Sequence, residues 1–172
     1  SIELSDPDFP VAEGGIGLRN ITGSTLDVDL DGFYPGLSYD VVFTAHCISP
    51  DNEWIKNVDF DLPTGVVLNS ATAMTGGSGG DMPYVGGTGH GIAAGWHGTG
   101  TYGNIYPDES ASATVNLSFA APAGDVVIPY TITGDIWGGD PHTVSGQIVI
   151  SLLGPNVTLL APNGGELCAV GE

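Results

Sequence analysis

The chain has 172 residues, 2 basic and 20 acidic side chains, a formal charge of −18, and 41 % hydrophobic residues. Arg19 and Lys56 cannot build a basic patch, which excludes nucleic acid and anionic membrane surfaces as partners. No apolar run approaches the ~20 residues of a membrane-spanning helix, and the apolar content is too high for a disordered chain.

Only 13 % of residues are charged, so the acidity reflects missing Lys and Arg rather than crowded carboxylates, and this favours export over salt adaptation. Ser1 opens without a charged-then-apolar leader, and the chain reads as mature and soluble. No stretch carries a helical apolar period. With 28 Gly and 12 Pro separating segments that alternate by twos, the pattern predicts an all-β fold, an antiparallel β-sandwich with an extended segment at each end.

In chain order, residues 1–19 hold Pro7, Pro10, Gly14, Gly15 and Gly17 and read as an extended arm. The sandwich itself is expected over 20–154. Its first strand alternates Leu26, Val28 and Leu30 with Asp27, Asp29 and Asp31. Tyr39, Val41, Phe43 and Ala45 follow a Tyr34-Pro35-Gly36 turn. Val58, Phe60 and Leu62 make the next face, and Pro63-Thr64-Gly65 turns the chain into Val66, Val67 and Leu68. Residues 76–103 carry 12 Gly, which suits a long loop or short bulged strands, with Ile92, Ala94 and Trp96 marking one strand. Ala111 to Phe119, Val126 to Ile132 and Val144 to Leu152 complete the series. The pattern apolar-Tyr-Pro-x-x-Ser occurs at Phe33–Ser38 and again at Ile105–Ser110, each time before a long strand, and reads as two similar corners. After Gly154 the segment 155–172 restarts with Val157, Thr158, Leu159 and Leu160 and reads as a linker strand.

The chemistry-bearing residues are sparse. Asp27, Asp29 and Asp31, followed by Gly32, match the first half of a calcium loop, but Ser38 stands where the bidentate Glu belongs. The rival reading is a solvated strand face. Loop acids Asp51, Glu53, Asp81, Asp108, Glu109, Asp135 and Asp140 offer a calcium ion other places to bridge two loops. His46, His90, His97 and His142 lack zinc spacing. There is no nucleophile elbow and no phosphate-cradling loop, so no enzyme is expected.

Tyr84, Trp96, Tyr102 and Trp137 are candidates for a carbohydrate platform, weighed against ordinary packing at a core rim. Cys47 and Cys168 are the only cysteines and could pair within one chain or between chains. Sequons stand at Asn20, Asn116 and Asn156.

The stretch Ser49-Pro50-Asp51-Asn52-Glu53-Trp54-Ile55, running on through Val58 to Gly65, resembles immunoglobulin-like or fibronectin-like modules of large secreted and surface-attached bacterial proteins. Ile105-Tyr106-Pro107 and Pro141 to Gly146 belong to the same pattern, which spans roughly Ser24 to Leu153. Leu160 to Glu166 resembles the opening of a wall-protein-like module, with Cys168 where an aromatic often stands. The resemblance implies an immunoglobulin-like or jelly-roll-like sandwich and an extracellular, non-catalytic role in a surface filament, array or adhesin. Self-association or neighbouring modules would be the partners, through terminal strands such as Val157–Leu160, with polysaccharide binding as the alternative function.

Overall fold

The computed structural model describes residues 20–120, 124–135 and 142–154. Over these residues the chain forms β1 (Thr25–Val28), β2 (Gly32–Phe33), β3 (Ser38–His46), β4 (Ile55–Asp61), β5 (Val66–Ala71), β6 (Tyr84–Gly86), β7 (Gly89–His90), β8 (Ala93–His97), β9 (Ser110–Phe119), β10 (Val126–Gly134) and β11 (Thr143–Leu152), with no helix among them. The strands make two sheets. The five-stranded sheet has the order β1-β3-β9-β5-β7 and the six-stranded one β2-β11-β10-β4-β8-β6. Neighbours are antiparallel except β2 and β11, where Gly32 and Phe33 run parallel to Ser151 and Leu152.

The strands form where side chains alternate, because a pleated ribbon sends successive residues to opposite faces. On β9 the apolar set Ala111, Ala113, Val115, Leu117 and Phe119 is buried, while Ser112, Thr114, Asn116 and Ser118 face outward. β3 adds Val41, Phe43 and Ala45 to the same layer. Val58, Phe60, Trp96, Ile128, Ile132, Ile148 and Ile150 supply the facing layer. Each large side chain so buried contributes ~1.5–3 kcal/mol. At the centre Phe43 packs across the layers on Phe60 and Trp96, with ring centroids 5.2 and 5.7 Å away. Trp96 Nε1 donates to Thr72 O at 2.9 Å, so its polar atom is satisfied inside.

The repeated corners take the same backbone form. Leu37 N–H donates to Tyr34 O at 3.4 Å, and Glu109 N–H to Tyr106 O at 3.0 Å. Each corner places Pro second and a left-handed residue third, Gly36 at φ 82° and Asp108 at φ 64°. That combination defines a type II turn. The strands they launch, β3 and β9, are antiparallel neighbours, so the corners lie at opposite ends of the sandwich.

The glycine-rich stretch resolves into short strands and tight crossings, not one long loop. A Cβ on Gly77 would lie 2.2 Å from Asn104 O, so only glycine lets these two backbones meet. Ala94 and Trp96 point into the core from β8, as their spacing predicts.

Candidate functional site

The outer face of the six-stranded sheet holds a trough of about 510 Å³. It arises because Val58 and Phe60 point inward from β4, which turns Asp59 and Asp61 outward. Opposite them on β8 stand Gly95 and Ala93, and opposite Asp59 on β10 stands Thr131, itself paired to Ser145 on β11. Val85, Pro129, Thr131 and Ser145 therefore rise around a floor of small residues. Gly95 is required there. A Cβ at that position would come within 2.7 Å of Asp59 Oδ1, because the carboxylate leans across it to meet His97. His97 Nε2 lies 2.7 Å from Asp59 Oδ1, with 43 % of the His and 47 % of the Asp side chain exposed. So open a pair adds ~0–1 kcal/mol to stability. What it provides is a fixed, polar, solvent-facing feature on a rigid sheet.

The five-stranded sheet presents a different outer surface. Ser38 and Ser118 hydroxyls lie 2.7 Å apart, Thr44 and Ser112 hydroxyls 2.9 Å, and His46 Nδ1 and Ser110 Oγ 3.0 Å. Asn116 Nδ2 donates to Asp40 at 2.6 Å, and Asn69 Nδ2 donates to Asn116 Oδ1 and Ser118 Oγ, each at 2.7 Å. These cross-strand pairs satisfy one another.

The end of the sandwich around the Tyr106 corner is polar inside. Glu53 is fully buried, its Oε1 is 2.8 Å from His142 Nδ1, and its Oε2 has no hydrogen-bond partner among the described residues. Burial pushes the Glu53 carboxyl above the ordinary range against the pull of His142, and Asp135 and Asp51 press the same way as burial. Asp51 Oδ2 and Asn104 Oδ1 are likewise buried without partners among the described residues. Nearby Glu109 is held below its usual range, because the Ser78 hydroxyl and N–H both donate to it. Trp54 stacks on Tyr106 at 4.0 Å and meets the edge of Tyr102 at 5.8 Å.

Several sequence candidates land elsewhere than expected. Trp96 is 0 % exposed and belongs to the core, and Tyr84 packs edge-on against it with its hydroxyl donated to Gly87 O. Fully enclosed, Trp96 cannot floor a carbohydrate platform. Tyr102 is exposed, as such a role requires, and the structure sets it against Trp54, which in turn stacks on Tyr106. Asp27, Asp29 and Asp31 do not converge. Asp27 accepts from the Thr25 hydroxyl and Asp29 from Val42 N–H, since strand geometry spreads successive carboxylates along the chain. Among the described residues no group of three or more His, Cys, Asp or Glu could hold a metal ion.

Cys47 is buried and has no disulfide partner among the described residues, and burial chiefly pushes its thiol up to about 11. Cys168, Trp137, Asn156, Asp140 and Val157–Leu160 lie outside the described residues, as do both extended segments. Asn116 sits mid-strand with its amide already engaged by Asp40 and Asn69. Asn20 Oδ1 caps Thr22 N–H at 3.0 Å. The trough and the Trp54–Tyr106 stack were not foreseen. Only the outward placement of Asp59 and Asp61 was legible, from the alternation of β4.

The architecture is that of a β-sandwich module. It is similar to the sixth cohesin of scaffoldin B from Acetivibrio cellulolyticus, a structure solved in complex with a dockerin, at 15 % identity and a TM-score of 0.51, over 77 % of this chain and 100 % of that one. A cohesin module from a Clostridium perfringens family 33 glycoside hydrolase aligns at 15 % identity and TM-score 0.47, over 80 % of this chain and 99 % of that one. A non-cellulosomal cohesin from the archaeon Archaeoglobus fulgidus aligns at 12 % and 0.45, over 77 % and 93 %. No protein-family profile and no curated protein matches the sequence. Identities this low speak to the fold alone. The Acetivibrio cellulolyticus module bears out the sandwich fold, and it is a cohesin rather than an immunoglobulin or fibronectin module. No helix among the described residues is long and apolar enough to cross a membrane.

Proposed function

We propose that the protein is a non-catalytic, extracellular assembly module that docks a partner protein module on the outer face of its six-stranded sheet. The observation that carries this reading is the trough lined by Ala93, Asp59, Asp61 and His97, where Asp59 and His97 stand partly exposed on strands fixed by the core. A polar pair displayed on a rigid surface specifies a partner's register and steers its approach more than it adds affinity. The acidity of the face favours a partner that brings Lys or Arg to Asp59 and Asp61. The similar sandwich from Acetivibrio cellulolyticus, solved with a dockerin, supports a docking role for this shape.

Assembly into a surface filament, array or adhesin through terminal strand addition receives less support. The strands at the sheet edges are short, Gly32–Phe33 and Tyr84–Gly86 in one sheet and Thr25–Val28 and Gly89–His90 in the other. Short edges give an incoming strand few backbone groups to pair with. The segment that would donate it, Val157–Leu160, lies outside the described residues.

The test is calorimetric titration with a panel of dockerin modules. The intact chain is expected to bind at least one, and Ala93→Arg, which fills the trough from an exposed position, should abolish binding without lowering the melting temperature. Failure of every dockerin to bind, or retention of binding by the filled variant, would overturn the reading.

A further inference from the structure

We propose that Trp54, Tyr102 and Tyr106 form a second binding site, a corner that takes a pyranose ring of a neutral polysaccharide. The geometry is that of a floor with a wall. Trp54 and Tyr106 stack at 4.0 Å with planes 28° apart, and Tyr102 stands across Trp54 at 68°. Tyr102 is 53 % exposed, more than any other large apolar side chain among the described residues. An exposed ring set against a second ring that is itself stacked on a third costs little entropy to offer to a ligand.

The corner is held from below. Ile55 N–H donates to Ile105 O at 2.9 Å and Asn104 N–H to Ile55 O at 2.7 Å, which clamps the loop before β4 to the loop before β9. Gly103 admits Trp54 against the backbone, where a Cβ would come within 2.6 Å of the Trp54 Cβ. Lys56 Nζ donates to Thr101 O at 3.3 Å beside Tyr102. The rings are therefore set before any ligand arrives.

The chemistry of the surroundings selects the ligand. The same two loops carry Asp51, Asp108 and Glu109, and the protein has only 2 basic residues. The end is thus rich in carboxylates, and Lys56 is its one cation among the described residues. Of the carboxylates, Asp108 is exposed, while Asp51 Oδ1 and Glu109 already accept protein donors. A nucleotide or an acidic glycan is repelled by a chain of charge −18. An aliphatic protein surface would lay apolar groups against carboxylates and leave them unpaired. A neutral sugar matches both features, since its C–H face packs on an aromatic ring and its hydroxyls donate to carboxylates.

Affinity electrophoresis of the full chain tests this, with native gels containing hydroxyethyl cellulose, galactomannan, mixed-linkage β-glucan or alginate. Retardation is expected in at least one neutral gel and not in alginate. Tyr102→Ala should weaken it by about tenfold or more with an unchanged melting temperature, while Tyr34→Ala, an exposed aromatic at the other end, should leave it intact. Absence of retardation in every neutral gel, or full retention by Tyr102→Ala, overturns the proposal. So does a Tyr102→Ala variant that loses a protein partner while no polysaccharide binds, because the corner is then a protein contact. Ala93→Arg should not change migration in these gels, which separates this site from the trough.

Discussion

The two ends of the sandwich are closed by opposite chemistries. At the Tyr34 corner the closure is apolar, with Phe33 stacked on Phe119 at 4.3 Å and Tyr39 edge-on to Phe119 at 5.7 Å. At the Tyr106 corner it is polar, with a buried Glu53 held by His142 and three buried oxygens that lack donors among the described residues. Both corners are the same type II turn, so the difference owes nothing to the backbone. It teaches that one end is built for stability, while the other accepts an energetic penalty, as binding regions commonly do.

Three perturbations sharpen that contrast. The largest effect is expected from Phe119→Ala, which empties the centre of the apolar end and should cost ~3–5 kcal/mol in chemical denaturation. A loss well under that range would mean that the end collapses to refill the space. Next comes Gly134→Ala at the polar end. The new Cβ would lie 1.9 Å from Glu53 Oε1, and a buried carboxylate has little room to yield. A cost of ~1–3 kcal/mol is expected by the same measurement.

The third effect is one of pH, and its sign differs between two neighbouring acids. Glu53 has its carboxyl raised by burial, so its contribution is present below the unfolded value and is lost as pH rises through the folded one. Glu53→Gln should therefore gain stability relative to the parent between acid and neutral pH. Glu109 is lowered by the Ser78 donors, so its contribution is present above the unfolded value and fades as pH falls through the folded one. Glu109→Gln should be the less stable variant at neutral pH and converge with the parent in acid. Melting curves across the acid range check both, and parallel curves for the two variants would remove the asymmetry.

How much of this the sequence held depends on distance along the chain. The long strands were legible because burial writes a period of two into a single segment, as in Ala111 to Phe119. The corners were legible because Pro35 with Gly36 and Pro107 with Asp108 restrict the backbone locally. The trough was not, since it depends on the register that sets Asp59 opposite Gly95. The alternation of Ile92, Ala94 and Trp96 marked a strand, but not that the strand joins the sheet's interior and buries Trp96 completely. Trp54 and Tyr106 meet only because Ile55 and Ile105 pair across the fold.

The hydroxyl and amide ladder on the five-stranded sheet has a consequence for crowding. Ser38, Thr44, Asn69, Ser112, Asn116 and Ser118 already bond to one another. A neighbour laid on that surface would break about as many hydrogen bonds as it made, and so gain little.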